Sequence, residues 1–282
     1  MGMTNIKSEI WAQQIIALLA TRLVAEGICN PHVVPSANGD KCHIVGAGEV
    51  TVDDYDSSED IEYQDPDDTD TEFTYNVDKK FALMVHDKDI KQAAISWQEL
   101  YASRGAYGLI KALDASVFAD HASAGLDSYE SSSTPWQLGA AGADVPNLFA
   151  ALAKQLNDAD APQEGRYIVL PPIGIQAMQL YLTGKSTDFG NQVLLNGQIG
   201  RFMGFDVHMS NNLTTAATTI HALAGVKGDG IAWKVQIDPN DIESLRSEGR
   251  FATLIRGRVL AGHKVYRSGI VVDVNLNTTL LA

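Results

Sequence analysis

The chain has 282 residues, 45% of them hydrophobic, and a formal net charge of -14, enough material for one large or two modest domains around an ordinary core. The acidic balance has no basic stripe to displace counterions from phosphates, which excludes nucleic acid and anionic membrane as direct ligands. Two cysteines, Cys29 and Cys42, are too few for a disulfide framework or a metal cluster and read as reduced thiols.

The charge is unevenly placed. Residues 1–130 hold 9 basic and 23 acidic side chains, whereas residues 131–282 hold 12 of each, so the first half carries the whole excess. The chain does not open on a basic segment, apolar block and small-residue cleavage site, and no apolar run approaches the roughly 20 residues of a membrane helix. Export by a signal peptide is therefore not expected, and Asn212-Leu213-Thr214 and Asn277-Thr278-Thr279 are chance matches to the glycosylation tripeptide.

In chain order, Ile10, Ile15, Leu18, Leu19 and Leu23 recur at roughly helical spacing, predicting an amphipathic helix from Ile6 to Ala25 that Gly27 ends. It has no obvious local partner. Cys29 to Ala47, punctuated by Pro31, Pro35, Gly39 and Gly46, reads as an extended arm with turns. Then comes Glu49 to Glu72, with twelve carboxylates and no Lys or Arg. Charges this dense need water, a cation or basic groups from elsewhere, since screening takes hold only beyond roughly 8 Å. Val50, Val52, Ile61, Tyr63, Phe73 and Tyr75 alternate with polar neighbours on either side of the acidic centre, which predicts a long hairpin.

From Asp87 to about Ala124 a helix is predicted, with Ile90, Ala94, Trp97 and Tyr101 along one face and a bend or break at Gly105 and Gly108. Gly125 to Gly142 reads as a connection and a domain boundary. Asp144 then caps an amphipathic helix carrying Val145, Leu148, Phe149, Leu152 and Leu156, followed by a buried strand at Tyr167–Leu170 and a helix from Ile173 to Leu182. Short strands follow at Phe205–Met209, Ile220–Ala224, Lys234–Ile237, Phe251–Arg258 and Ile270–Val274. Helices and strands occur in separate runs, so the fold class is α+β.

No catalytic motif stands out. Gly184-Lys185-Ser186 resembles the end of a phosphate-binding loop, but Gln179 stands where its first Gly belongs and a helix precedes it, so a helix end with an exposed Lys accounts for it. The seven histidines are scattered, none three or four residues from another, and no Ser sits in a nucleophile elbow. Neither an enzyme nor a cofactor site is expected. For calcium, Asp65, Asp67, Asp68, Asp70 and Glu72 offer oxygen ligands, but Asp70 and Asn76 occupy the places where an EF-hand has Gly and Glu. An interface cation stays open only as an adjunct.

Taken in order, the amphipathic arm, the acidic hairpin, FALMVHDKDIKQA (Phe81 to Ala93) leading into a long helix, and GRYIVLPPIGIQAMQLYL (Gly165 to Leu182) resemble a tailed-phage major capsid protein of the Hong Kong 97 fold. NGQIGRFMGFDVHMSNNL (Asn196 to Leu213), ALAG (Ala222 to Gly225) and IESLRSEGRFATLIRGRVLAGHKVYRSGIVV (Ile242 to Val272) resemble the family's later strands. Each motif alone is weakly specific; their order covers nearly the whole chain.

The resemblance implies an N-terminal arm (1–47), an extended acidic loop (48–80), a peripheral domain with a long spine helix (81–143), an axial domain (144–236), a return to the peripheral domain (237–262) and a final axial strand (263–282). Subunits would form hexamers and pentamers of an icosahedral shell, a virion capsid assembled in the host cytoplasm. The shell would enclose DNA without specific binding and without a membrane. Partners would be a portal and a separate scaffolding protein, because no long assembly domain precedes Ile6. The expected inter-subunit contacts are Val52, Asp54, Ile61, Glu62, Tyr63, Asp67, Asp68 and Phe73 of the loop, meeting Arg246 and Arg250 of a neighbour. The alternatives are an encapsulin-type cellular shell, an acidic cation-binding adhesion module and, third, an unrecognised hydrolase.

Some shells of this fold are cross-linked between a loop Lys and a neighbour's Asn. Here no Lys lies between Lys41 and Lys79, so mature particles should run as single chains on a denaturing gel. A ladder of covalent oligomers would contradict this.

Overall fold

The computed structural model describes residues 24–31, 34–35, 41–47, 50–52, 54, 63, 65, 68–92, 97–139, 142–183, 200–238 and 241–279. The expected helix before Val24, the loop residues Ile61, Glu62 and Asp67, Ala94, and Gly184-Lys185-Ser186 lie outside them.

A short helix, Ala25–Ile28 (α1), precedes the strands Val34–Pro35 (β1), Lys41–Ala47 (β2), Asp68–Thr74 (β3) and Val77–His86 (β4). β4 runs straight into Asp87–Gln92 (α2), whose first turn holds Asp87 and Asp89, carboxylates that suit the positive end of a helix. Trp97–Phe118 (α3) follows, 22 residues and so about 33 Å long, and tightens into a 3₁₀ turn at Ala119–Ser123. Leu126–Ser128 (β5), Val145–Asp158 (α4), Arg166–Leu170 (β6) and Pro172–Thr183 (α5) come next. Pro lies in the first turn of both of these helices, second in α4 and first in α5, where its missing N–H costs nothing.

The rest is strand: Arg201–Phe202 (β7), Phe205–Met209 (β8), Thr214–Ala216 (β9), Thr219–Val226 (β10), Ile231–Ile237 (β11), Ile242–Arg246 (β12), Ala252–Val265 (β13) and Val271–Asn277 (β14). Met203 and Gly204 join β7 to β8 with φ of 46° and 89°, the pair of positive angles that a tight two-residue hairpin turn requires.

Three sheets result. β1, β2 and β3 form the first. The central sheet runs β5-β14-β10-β6-β8-β7, with β9 on β10. Its middle strand β6 is buried at all five positions, which is why Arg166–Leu170 lacks polar alternation. In the third, β13 lies between β4 on one side and β12 and β11 on the other. α3 covers this third sheet with Ala106, Leu109, Leu113 and Val117, while Leu148, Phe149, Leu152 and Leu156 of α4 enter the same continuous core as Tyr167, Ile168 and Phe205.

Two buried polar groups pin elements that have little area of their own. Asp114, inside α3, accepts the Ala25 N–H at 3.2 Å and so caps α1, with Asn212 donating to its other oxygen at 3.4 Å. Burial pushes the Asp114 carboxyl up, against those hydrogen bonds. Arg166 donates to the carbonyls of Ala161 and Pro162 and to Asn157 Oδ1, closing the end of α4 from inside the core.

Three expectations are corrected. The acidic hairpin exists, but its ladder pairs Lys41–Ala47 with Asp68–Thr74; Val50 and Val52 are not in a strand. Burial chooses this register: Cys42 and Phe73 are opposite one another and cover Ala232, whereas Val50 and Val52 face solvent. The segment from Gly125 to Gly142 is not a bare connection, since β5 lies in the central sheet and buried Trp136 bridges to Leu276 and donates to Ser128 Oγ at 3.1 Å.

The third concerns Gly105 and Gly108, through which α3 passes unbroken. Gly105 is there for Phe81 of β4, whose ring lies against it and against Gly257, its cross-strand partner on β13; a Cβ on either glycine would collide with that ring. In an open helix Gly105→Ala would gain roughly 1 kcal/mol of propensity. Here overpacking of about 1–3 kcal/mol should outweigh it, and urea unfolding should show a net loss that shrinks in a Phe81→Leu background. A stabilised Gly105→Ala chain would contradict this packing.

Candidate functional site

Among the described residues, the acidic run meets basic groups of its own chain at its base. Across β2 and β3, Lys41 Nζ lies 2.7 Å from Glu72 and His43 Nδ1 lies 2.8 Å from Asp70, both diagonal neighbours on one face. The Lys41 hydrogen bond holds the Glu72 carboxyl below its ordinary range. Lys264 of β13 adds a bond to the Glu72 carbonyl at 2.9 Å, which ties the hairpin base to the third sheet. Farther out, Val52, Asp54, Tyr63 and Asp65 are exposed, Val52 at 91% and Tyr63 at 93%. Asp68 opens β3.

Phe73, expected to reach a neighbour, instead is 6% exposed in a small core with Cys42 and Ala232, its ring close to Gly262. Ile90 lies in α2 and Trp97 begins α3, with Tyr101 half-buried on the same helix.

The outer face of the third sheet carries two ion pairs, from Arg258 and Arg256, and a third, from Arg246 at the end of β12, lies on the other face beside α2. Arg258 grips Asp78 with two bonds of 2.8 and 2.6 Å, Arg256 meets Glu243 at 2.7 Å, and Arg246 holds Asp87 at 2.7 Å through one nitrogen while a second nitrogen bonds the other oxygen. Each guanidinium holds or faces a carboxylate of an adjacent element, and Asp78 and Asp87 are both kept below the usual carboxylate range by those hydrogen bonds. Arg246 is therefore a partner of α2 within its own chain, where the sequence reading had given it to a neighbour. Arg250 is exposed in the turn between β12 and β13, and beside it Phe251 is 84% exposed. Sequence reasoning counted Phe251 as a strand residue; only the turn that ends at Ala252 turns its ring outward.

Between the hairpin base and the end of α3 lies an open cleft of about 430 Å³ lined by Lys41, Glu72, Asp120, Ser123, His263 and Lys264. Its floor holds a chain of hydrogen bonds, Ser116 Oγ to His263 Nε2 at 2.6 Å and His263 Nδ1 to Asp120 Oδ2 at 2.6 Å. With the Nδ1–H tautomer, Ser116 donates to the ring and the ring donates to Asp120. The connectivity is that of a serine hydrolase, which residue spacing does not reveal. Yet Ser116 is inside α3, where backbone N–H groups are spent on the helix, so no free pair forms an oxyanion hole beside it. The geometry serves to fasten α3 to β13.

One residue on, His121 faces the central sheet. Its Nδ1 lies 3.2 Å from Asp273 Oδ2, and His221 Nδ1 approaches the same oxygen at 2.8 Å. The 3₁₀ turn is thus attached on both sides, by Asp120 to β13 and by His121 to β10 and β14. The cysteines are free and buried, and burial, reinforced by Asp120 and Asp114, pushes the Cys29 thiol up.

No family model matches this sequence, and no curated protein matches it. Solved structures do. One from Mycobacterium phage Che8 superposes with a TM-score of 0.70 at 25% identity, covering 86% of each chain. The capsid structure of the cyanophage P-SCSP1u gives 0.70 at 14% identity, over 93% of this chain and 90% of that one. The virus-like particle from Pyrococcus furiosus gives 0.58 at 12% identity, over 90% and 92%. The fold is that of tailed-phage major capsid proteins, the Hong Kong 97 type.

The Arg246–Asp87 pair has a signature in acid. A carboxyl with a lowered folded pKa adds stability above its unfolded pKa near 3.9, and that increment disappears as pH falls through the folded value. In Arg246→Ala, the Asp87 titration followed by NMR should move up toward the ordinary value, and the acid limb of the stability profile should lose that increment. An unmoved Asp87 titration would show that the pair does not form.

Proposed function

We propose that this chain is a major capsid protein that self-assembles into hexamers and pentamers of an icosahedral shell enclosing phage DNA. The observation that carries the reading is the capsid fold over 86–93% of the chain in the phage structures. The Che8 and P-SCSP1u structures superpose at 0.70, above the 0.58 of the Pyrococcus furiosus particle, which favours a virion shell over an encapsulin-type one, although Mycobacterium phage Bobi, at 0.55, scores below that particle. A portal, a separate scaffolding protein and assembly in the host cytoplasm belong to this reading as proposals, as does the division at 47, 80, 143, 236 and 262. Its support is that α3 covers the sheet of β4, β12 and β13 while β5–β10 and β14 make the central sheet; β11 and the end of β13, both in the former sheet, cross the divisions at 236 and 262.

The loop contacts follow from charge and exposure. Among the described residues, the basic partners of the acidic run are Lys41 and His43 at its base, and Val52, Asp54 and Tyr63 are exposed. On this reading they meet the β12–β13 turn of a neighbour, with Arg250 as the cation and Phe251 as the apolar anchor; Ile61, Glu62, Asp67 and Asp68 belong to the same loop. An exposed ion pair contributes only about 0–1 kcal/mol, whereas burying a Phe side chain contributes roughly 1.5–3 kcal/mol. Phe251 therefore outweighs Arg250, and both gain from repetition around a closed assembly.

Phe251→Ser and Arg250→Glu should leave the melting of the unassembled chain within about 0.5 kcal/mol of wild type, because both side chains are exposed. Particle yield on a sedimentation gradient should fall in both, more in Phe251→Ser. Wild-type yield in both variants would place the loop contact elsewhere; a wild-type chain that sediments only as a monomer would overturn the shell reading itself.

A further inference from the structure

His121, His221 and Asp273 come from the 3₁₀ turn, β10 and β14. Their placement follows from register: His221 is opposite Asn275 on β14, so Asp273 is its diagonal neighbour on the same face of the sheet. The turn at the end of α3 then lays His121 over His221, with ring centroids 4.0 Å apart and planes 15° from parallel. Both Nδ1 atoms converge on Asp273 Oδ2, and one ligand atom from each of the three residues lies within 4.8 Å of the others.

As a hydrogen-bonded cluster alone, this arrangement is incomplete. The Asp273 side chain is 8% exposed, and its second oxygen, Oδ1, is buried with no hydrogen-bond partner among the described residues. A buried carboxylate has one oxygen receiving two imidazoles and the other receiving nothing, an arrangement that costs free energy unless something else reaches it. Among the described residues its ionic partners are the two histidines, not a Lys or Arg.

We infer that His121, His221 and Asp273 form a binding site for a divalent metal ion of zinc chemistry. Two imidazole nitrogens and a carboxylate oxygen are the donor set of three-ligand zinc sites, with bonds of about 2.0–2.1 Å that put neighbouring ligand atoms roughly 3.3 Å apart in a tetrahedron. The measured separations from Oδ2, 3.2 and 2.8 Å, sit close to that span. Oδ1 or a water completes the coordination, and the dication offsets the buried negative charge. His121 and His221 keep 14% and 17% of their side-chain surface, so an ion can enter from solvent. Its effect is mechanical: it fixes the turn after α3 to two strands of the central sheet. A second cluster, His43, Asp70 and Glu72, lies on the surface, with Glu72 already held by Lys41, and serves as the internal control.

The test uses the full chain stripped of metal and titrated with Co²⁺, whose visible bands report tetrahedral nitrogen and oxygen ligands, followed by displacement with Zn²⁺. One equivalent should bind per chain, and Zn²⁺ should raise the melting temperature. His121→Asn and His221→Asn, both at partly exposed positions, should each weaken binding by more than about tenfold, the loss that even an outer-shell change produces. His43→Asn should leave it unchanged. Failure of the wild-type chain to develop the bands, equal binding by the His121 and His221 variants, or loss of binding in His43→Asn would each overturn the assignment. None of these outcomes depends on whether the chain assembles.

Discussion

The ladder between β13 and β4 is what the rest of the molecule depends on. It pairs ten residues of β4, from Val77 to His86, with Ala252–Ala261, so the strand that leaves the acidic hairpin is tied to one more than 160 residues later. Backbone bonds alone do not select that register. Phe81 does much of the selecting, because its ring fits where Gly257 is opposite and Gly105 is above it; sliding the strands by one residue would turn the ring to the other face, and sliding them by two would set it against Ile255 or Val259. With the register set, Arg258 finds Asp78, Arg256 finds Glu243 across β12, and His263 arrives at Ser116 and Asp120.

The same ladder explains the placement of charge. The positive groups of β12 and β13 are spent locally on Asp78, Asp87 and Glu243, and Lys264 goes to the hairpin base. The acidic run is therefore neutralised where it leaves the body. Arg250 at the β12–β13 turn, beside exposed Phe251, has no such intrachain pairing among the described residues. Such a division, with ion pairs satisfied on the sheet and an exposed cation and aromatic at its tip, suits the docking between copies proposed above.

Elements with strong periodicity were legible in the sequence. α4 and β6 follow from Leu148, Leu152 and Leu156 at helical spacing and from a run of five buried residues, and the order of motifs led to the capsid fold. What spacing could not show is long-range register. Lys41 and His43 looked like arm residues because nothing local says that they are beside Glu72 and Asp70. Gly105 read as a weakness in a helix because Phe81 is 24 positions away. The same blindness hid His121, His221 and Asp273, which no pairwise spacing connects, and it assigned Arg246 to a neighbour when Asp87 was its partner.

The central claim is that copies of this chain close into a shell through the acidic hairpin of one subunit and the β12–β13 turn of another. Electron cryomicroscopy of the purified full-length protein tests it most directly. The account predicts closed icosahedral particles or capsomers, with density for the hairpin crossing onto a neighbouring subunit near Arg250 and Phe251. Monodisperse single chains, with a melting temperature that rises on adding calcium, would contradict it.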